Sequence, residues 1–299
     1  MTVPRRVSNS PDAAPSALCV ANDDARYPSG LADLHENAPR CLWMRGQLEL
    51  LGVQPRIAIV GTRRATGYGL RVTTELAQAF GRAGACVVSG MALGIDGAAH
   101  RGALDTKAPT VAVLGTGLNH CFPKAHRALQ NEIVGSGVLL TELEPDWHGQ
   151  MFTFPARNRL IAALASLTIV VEAPEKSGAL ITAGHALELD RPVAAVPGPI
   201  DQPQSAGCNK LIASGAQIIT CVEDALALAG LTPPPRRPRG DPAGDEGRVW
   251  AALANGALDM DSLCSASGLP ADKCMAAVGN LQVAGAIECA LTGQIRRRG

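Results

Sequence analysis

Ile57-Ala58-Ile59-Val60-Gly61-Thr62-Arg63-Arg64-Ala65-Thr66-Gly67-Tyr68-Gly69 is the stretch that sets the architecture. Four apolar residues in a row run into a glycine turn, and beyond Gly67 the residues Leu70, Leu76, Ala77 and Phe80 recur at helical spacing over 67–84. A strand with no polar side has no face for water, so both faces must be covered. Outward from this unit the pattern repeats. Strands over 86–89, 110–114, 138–141, 167–172, 193–196 and 216–220 alternate with helices over 95–104, 125–134, 159–165, 179–189 and 222–229. The pattern predicts an α/β fold, an extended Rossmann-like, doubly wound parallel sheet, with its ligand site at the carboxyl ends of the strands.

Breakers divide the chain. Residues 1–25 read as a disordered leader and 26–232 as the Rossmann-like domain. Residues 233–242 hold five prolines in ten positions and read as an extended linker. Within 243–299, helices over 247–254, 260–267 and 271–284 precede a hairpin around Gly293. Three helices closed by a hairpin predict a small C-terminal winged-helix domain. Its third helix carries Asp272, Lys273, Met275 and Gln282 but no arginine, which leaves DNA reading and protein docking both open.

The composition narrows the function classes. The 299 residues are 46% hydrophobic, too apolar for a disordered chain, and carry 27 basic and 27 acidic side chains. With each segment near neutrality, an anionic partner must be held by local arginines and backbone amides rather than by a net field. No apolar run approaches the roughly 20 residues of a membrane helix, and 1–15 lacks the core of a signal peptide, so a cytoplasmic protein is expected. Nine scattered cysteines without a C-x-x-C pair read as buried apolar side chains, not as a disulfide framework or metal site.

Four turns hold the polar residues. In the first, Arg63 and Arg64 follow Gly61 at a helix start, where free N–H groups attract an anion, although the spacing is not G-x-G-x-x-G. The second runs Ser89-Gly90-Met91-Ala92-Leu93-Gly94-Ile95-Asp96, with His100 four residues on; a capping Asp96 hydrogen-bonded to His100 is expected. The third, Phe154-Pro155-Ala156-Arg157-Asn158-Arg159, sets two arginines around an asparagine where a helix is expected to begin, a combination suited to phosphate or a base edge. The fourth, Glu172-Ala173-Pro174-Glu175-Lys176-Ser177-Gly178, reads mainly as tight strand-to-helix packing.

Taken in order, Tyr27-Pro28, Leu42…Arg45-Gly46, Val60-Gly61-Thr62-Arg63, Ser89-Gly90…Gly94-Ile95-Asp96…His100, Phe154-Pro155…Arg157-Asn158-Arg159, Ser177-Gly178…Leu180-Ile181-Thr182-Ala183 and Pro197-Gly198 resemble the DprA/Smf family of DNA-processing proteins. The resemblance covers 27–229. It implies a single-stranded DNA binder without strong sequence preference that forms homodimers and delivers the strand to the RecA recombinase, with neither catalysis nor a cofactor. It also implies that Arg63, Arg157 and Arg159 line the DNA pocket, and that Lys124 stands where relatives place a basic residue. Phe122 departs from the family's usual tyrosine. The candidate interface is Arg63, Arg64, Ser89, Gly90, Gly94, Lys124, Arg157, Asn158, Arg159, Ser177 and Gly178. Two competing readings are a nucleotide-cleaving hydrolase using Glu172 or Glu188, and a regulator whose winged helix reads duplex DNA. The first lacks the Pro-Gly-Gly-x-Gly-Thr signature of such hydrolases.

Overall fold

Strand β3 (Arg56–Val60) is buried at every residue, as its unbroken apolar run predicts. Ile57 and Ile59 face Leu76 and Phe80 of helix α1 (Gly67–Arg82), while Ala58 and Val60 face Leu160 and Ala163 of helix α4 (Thr153–Leu164). Each large side chain so covered contributes about 1.5–3 kcal/mol. The computed structural model describes residues 17–232, 243–283, 286–290 and 293–297. The expected linker 233–242 and residues 1–16 of the expected leader lie outside them.

Around β3 the sheet extends both ways in the order β1-β2-β6-β5-β4-β3-β7-β8-β9. Its strands are β1 (Leu18–Ala21), β2 (Cys41–Gly46), β4 (Cys86–Ser89), β5 (Thr110–Val113), β6 (Val138–Thr141), β7 (Leu167–Val170), β8 (Val193–Ala195) and β9 (Gln217–Ile218). Only β2 runs against the others. The connections through α1, α2 (Ile95–Asp105) and α3 (Arg127–Ser136) lead stepwise from β3 to β6. The chain then returns through α4 to the other side of β3, and α5 (Gly178–Glu188), α6 (Ala206–Ala213) and α7 (Val222–Leu228) complete the series. The direction of winding reverses between β3 and β7, and there the turns beyond the strands open away from each other. Arg56, 5% exposed, opens β3 and donates to the carbonyls of Leu51 and Leu164.

Four features correct the sequence reading. Leu18–Ala21, inside the stretch read as disordered leader, is an edge strand paired with β2; both strands are short, and neither shows a strand pattern without its partner. Helix α4 begins at Thr153, six residues before the expected Arg159, so Arg157 and Arg159 sit within it rather than at its mouth. Helix α6 occupies a segment for which the residue pattern predicts no helix. Cys19 and Cys41 form a disulfide, against the expectation of reduced thiols. They lie 22 residues apart in sequence, but antiparallel pairing makes them diagonal neighbours with Cα atoms 6.3 Å apart, within the span of such a bridge.

The chain divides into two units with the boundary between residues 234 and 235. The second contains α8 (Gly244–Ala252), α9 (Met260–Ser267), α10 (Ala271–Val283) and an antiparallel pair, β10 (Ile287–Cys289) with β11 (Ile295–Arg297). Val249, Leu253, Leu263, Cys274, Val278, Leu281, Ile287 and Ile295 form its own core. This is a winged-helix arrangement.

Candidate functional site

A groove of about 260 Å³ lies at the point where β3 and β7 part. Gly61 to Arg64 form one wall, Phe154, Pro155, Arg157 and Asn158 of α4 another, and Lys176 to Gly178 a third. The turns that carry the first and third walls are tied together where they leave the sheet, because the Thr62 N–H donates to the Glu172 carbonyl at 2.6 Å. Arg63 and Arg64 are exposed, and neither forms an ion pair among the described residues. The Arg63 guanidinium lies 5.9 Å from the centroid of the Phe154 ring, and Phe154 packs on Phe122 at 4.9 Å and 41°. Arg63, Gly90, Leu93, Phe122 and Phe154 also line a smaller adjoining cavity of about 110 Å³. A planar ring and a planar cation thus border a cationic groove, with a second ring in the adjoining cavity, the pairing needed to hold a base and a phosphate together.

The two candidate arginines of α4 are engaged internally. Arg157 lines the groove but is 5% exposed; its Nη1 donates to the carbonyls of Gly90 (2.8 Å) and Val113, and its Nε to Asn158 Oδ1 (3.3 Å). Burial lowers its pKa to about 10 against the opposing pull of Asp96. Arg159 forms a two-pronged ion pair with Glu142 (2.7 and 2.6 Å) and donates to the Asn37 carbonyl, away from the groove. Asn158 Nδ2 donates to the Gly178 carbonyl at 3.0 Å, linking α4 to the third wall.

The remaining sequence candidates divide in the same way. Ser177 accepts from the Ala179 N–H as the cap of α5, and it lines the groove with exposed Gly178. Ser89 is fully buried and donates to the Ile59 carbonyl at 2.6 Å, joining β4 to β3. Gly94, at φ +76°, serves close backbone packing: a Cβ there would meet the Thr62 carbonyl oxygen at 2.4 Å. Lys124 is exposed in a 3-10 turn outside the groove lining, next to Phe122 and Pro123. Lys176, exposed and lining the groove, was missed. Its signal was its place directly before Ser177 in a turn assigned to packing.

Two local expectations are corrected. The anion seat at the start of α1 is already filled by Glu172, 3% exposed, whose carboxylate accepts from the Thr66 N–H (2.9 Å) and the Thr66 hydroxyl. Asp96 does not pair with His100. Its Oδ2 accepts from the Gly90 and Ala92 N–H groups at 3.1 and 3.4 Å, and burial pushes its carboxyl above the usual range. His100 instead pairs with Thr110 Oγ1 at 2.7 Å, and complete burial drives its pKa down to about 3. Of the carboxylates considered for hydrolysis, Glu172 is thus engaged in the fold, and Glu188 pairs with His185 in the last turn of α5, outside the groove.

Residues 18–230 match the family model for DNA recombination-mediator protein A, and 233–290 that for the DprA winged helix domain. The chain is 40% identical to the DNA processing protein DprA of Bacillus subtilis over 199 residues, which covers 67% of each chain. It is also similar to the X-ray structure of DprA from Streptococcus pneumoniae (TM-score 0.68, 40% identity, 71% of this chain and 74% of that one). A third similarity is to the Helicobacter pylori DNA processing protein A, in a structure concerned with that protein's single-stranded DNA binding mode (TM-score 0.65, 31% identity, 72% and 97%). The chain belongs to the DNA recombination-mediator protein A family, a family of DNA processing proteins.

Proposed function

We propose that the protein binds single-stranded DNA along the groove between β3 and β7 and acts as a cytoplasmic, non-catalytic mediator that passes the strand to a RecA-type recombinase in recombination or natural transformation. The observation that carries the reading is that exposed Arg63, Arg64 and Lys176 line one groove with Phe154, whose ring packs on Phe122 in the adjoining cavity. Guanidinium and ammonium groups take the backbone without reading sequence, and the ring faces accept any base. The single-stranded DNA binding described for the Helicobacter pylori relative supports the same ligand. Because the chain is electrically neutral overall, one protomer brings few phosphate contacts, and a homodimer would double them.

Fluorescence anisotropy with oligo-dT and its duplex tests the reading. Wild type should prefer the single strand, and Arg63→Ala should weaken that binding by about 1–3 kcal/mol while leaving folding intact. A folded Arg63→Ala protein with unchanged affinity overturns the reading. Preference for duplex, lost on removing residues 243–299, would favour the winged-helix regulator. Against that alternative, α10 carries Lys273 beside Asp272 and no further basic residue to offer a duplex.

A further inference from the structure

We propose that Arg157 and Asp96 act together as a positioning clamp on the Gly90 peptide, through which the interior of the fold sets the course of the loop that presents Arg63. The clamp grips the two successive peptide units that flank the Gly90 Cα. The Gly90 carbonyl accepts from Arg157 Nη1 at 2.8 Å, and the Gly90 N–H donates to Asp96 Oδ2 at 3.1 Å. Gly90 permits this because the guanidinium carbon lies 2.7 Å from the position a Cβ would take. The same guanidinium also holds the Val113 carbonyl, so one side chain gathers the carboxyl ends of β4 and β5. Arg157 is 5% exposed and Asp96 6%, so although both line the groove, the Arg157 guanidinium is committed to carbonyls rather than open to a phosphate.

The clamp is connected to Arg63 by a short path. Met91 follows Gly90 with φ +58°, a left-handed conformation that a side-chain-bearing residue keeps only under constraint from its surroundings. Asp96 receives the Ala92 N–H on the far side of Met91, and the Met91 carbonyl meets His126 Nδ1 at 3.0 Å. Three residues on, Gly94 packs against the Thr62 and Arg63 backbone, and the Ile95 N–H donates to the Thr62 carbonyl at 3.3 Å. Displacing the Gly90 peptide therefore displaces the surface on which the Thr62–Arg63 turn rests. Arg157 and Asp96 are positioning residues that act through Arg63.

The binding arms of the test rest on the single-stranded DNA reading. Oligo-dT affinity is measured across a salt series for the full chain and for Arg63→Ala, Arg157→Lys, Arg157→Gln and Asp96→Ala, with circular dichroism as the folding check. Loss of one phosphate contact lowers the salt slope by about 0.7 on a single strand. Arg63→Ala should show that fall. Arg157→Gln and Arg157→Lys should lose affinity by about tenfold with the slope unchanged. Asp96→Ala removes a negative charge beside a cationic groove yet should also weaken binding, the opposite of what simple charge repulsion requires. A slope loss in Arg157→Gln equal to that of Arg63→Ala overturns the proposal, and so does a folded Asp96→Ala that binds as well as wild type or better.

Arg157→Lys keeps the charge and is the variant that decides if the others fail to fold. Wild-type affinity there overturns the clamp, because lysine keeps a charge for a phosphate but its ammonium ends one bond short of the Nη1 position and lacks the Nε–H that Arg157 gives to Asn158. If wild type itself does not bind oligo-dT, the function reading fails while amide exchange still tests the clamp. Gly90 and Ala92 should then exchange at least about tenfold faster in Arg157→Lys than in wild type, and equal rates overturn it.

Discussion

Arg63-Arg64 and Arg157-Asn158-Arg159 look interchangeable in sequence, two basic pairs at turns of the same sheet edge, yet the fold uses them in opposite ways. The first pair stands on the loop after β3, exposed and without an ion-pair partner among the described residues. The second lies one and two turns into α4, where Arg157 points into the sheet end and Arg159 into Glu142. The difference is what surrounds each guanidinium. A loop beyond a sheet leaves it to water and ligand, whereas a helix packed over strand ends offers carbonyls and a carboxylate that satisfy it first.

The comparison breaks most decisively at Arg157. Arg157→Ala should lower the free energy of urea unfolding by about 2–5 kcal/mol, since two carbonyls lose their donor and buried Asp96 loses its opposing charge. Arg63→Ala should leave the unfolding midpoint where it is; equal losses at both positions would erase the distinction.

The buried side has a pH signature too. His100 titrates near 3 when folded and near 6.5 when unfolded, so the unfolded chain binds the extra proton in the window between these values. Its contribution to stability is complete above 6.5 and is lost as pH falls towards 3, at up to about 1.4 kcal/mol per pH unit. Asp96, raised by burial, works in the opposite sense at acid pH. The measurement is therefore the difference between wild type and His100→Gln, whose unfolding free energy should fall less steeply between pH 7 and 5. Parallel curves would remove His100 from the account.

Smaller effects sharpen the exposed side. Lys176→Ala should weaken oligo-dT binding by about 1 kcal/mol and reduce the salt slope, with unfolding unchanged. Arg159→Ala should do the reverse, costing up to about 1 kcal/mol of stability through the half-buried Glu142 pair while the salt slope holds. A slope change in Arg159→Ala would return that residue to the groove.

The parallel core was legible because its signal is local: residues 57–60, Cys86–Ser89 and Val138–Thr141 are short, mostly apolar runs closed by turns, and each became a strand at or near its expected bounds. Strands β1 and β2 were not, since an edge pair draws its stability from a partner distant in sequence, and the same pairing brings Cys19 to Cys41. The site was legible as a set of turns but not as a set of roles. Gly61 through Arg64, Phe154, Asn158 and Ser177 do converge on one groove. Lys176 escaped because a single lysine in a turn resembles any solvated charge.

Residue pattern alone was thus sufficient for the doubly wound sheet, the separate winged helix and the edge where the polar turns gather, because periodicity and breakers act over a few residues at a time. Which arginine meets solvent, that Glu172 fills the start of α1, and that His100 chooses Thr110 over Asp96 were decided only in three dimensions. Each depends on a competition among hydrogen-bond partners 10 to 106 residues apart in the chain, and burial determines which partner wins.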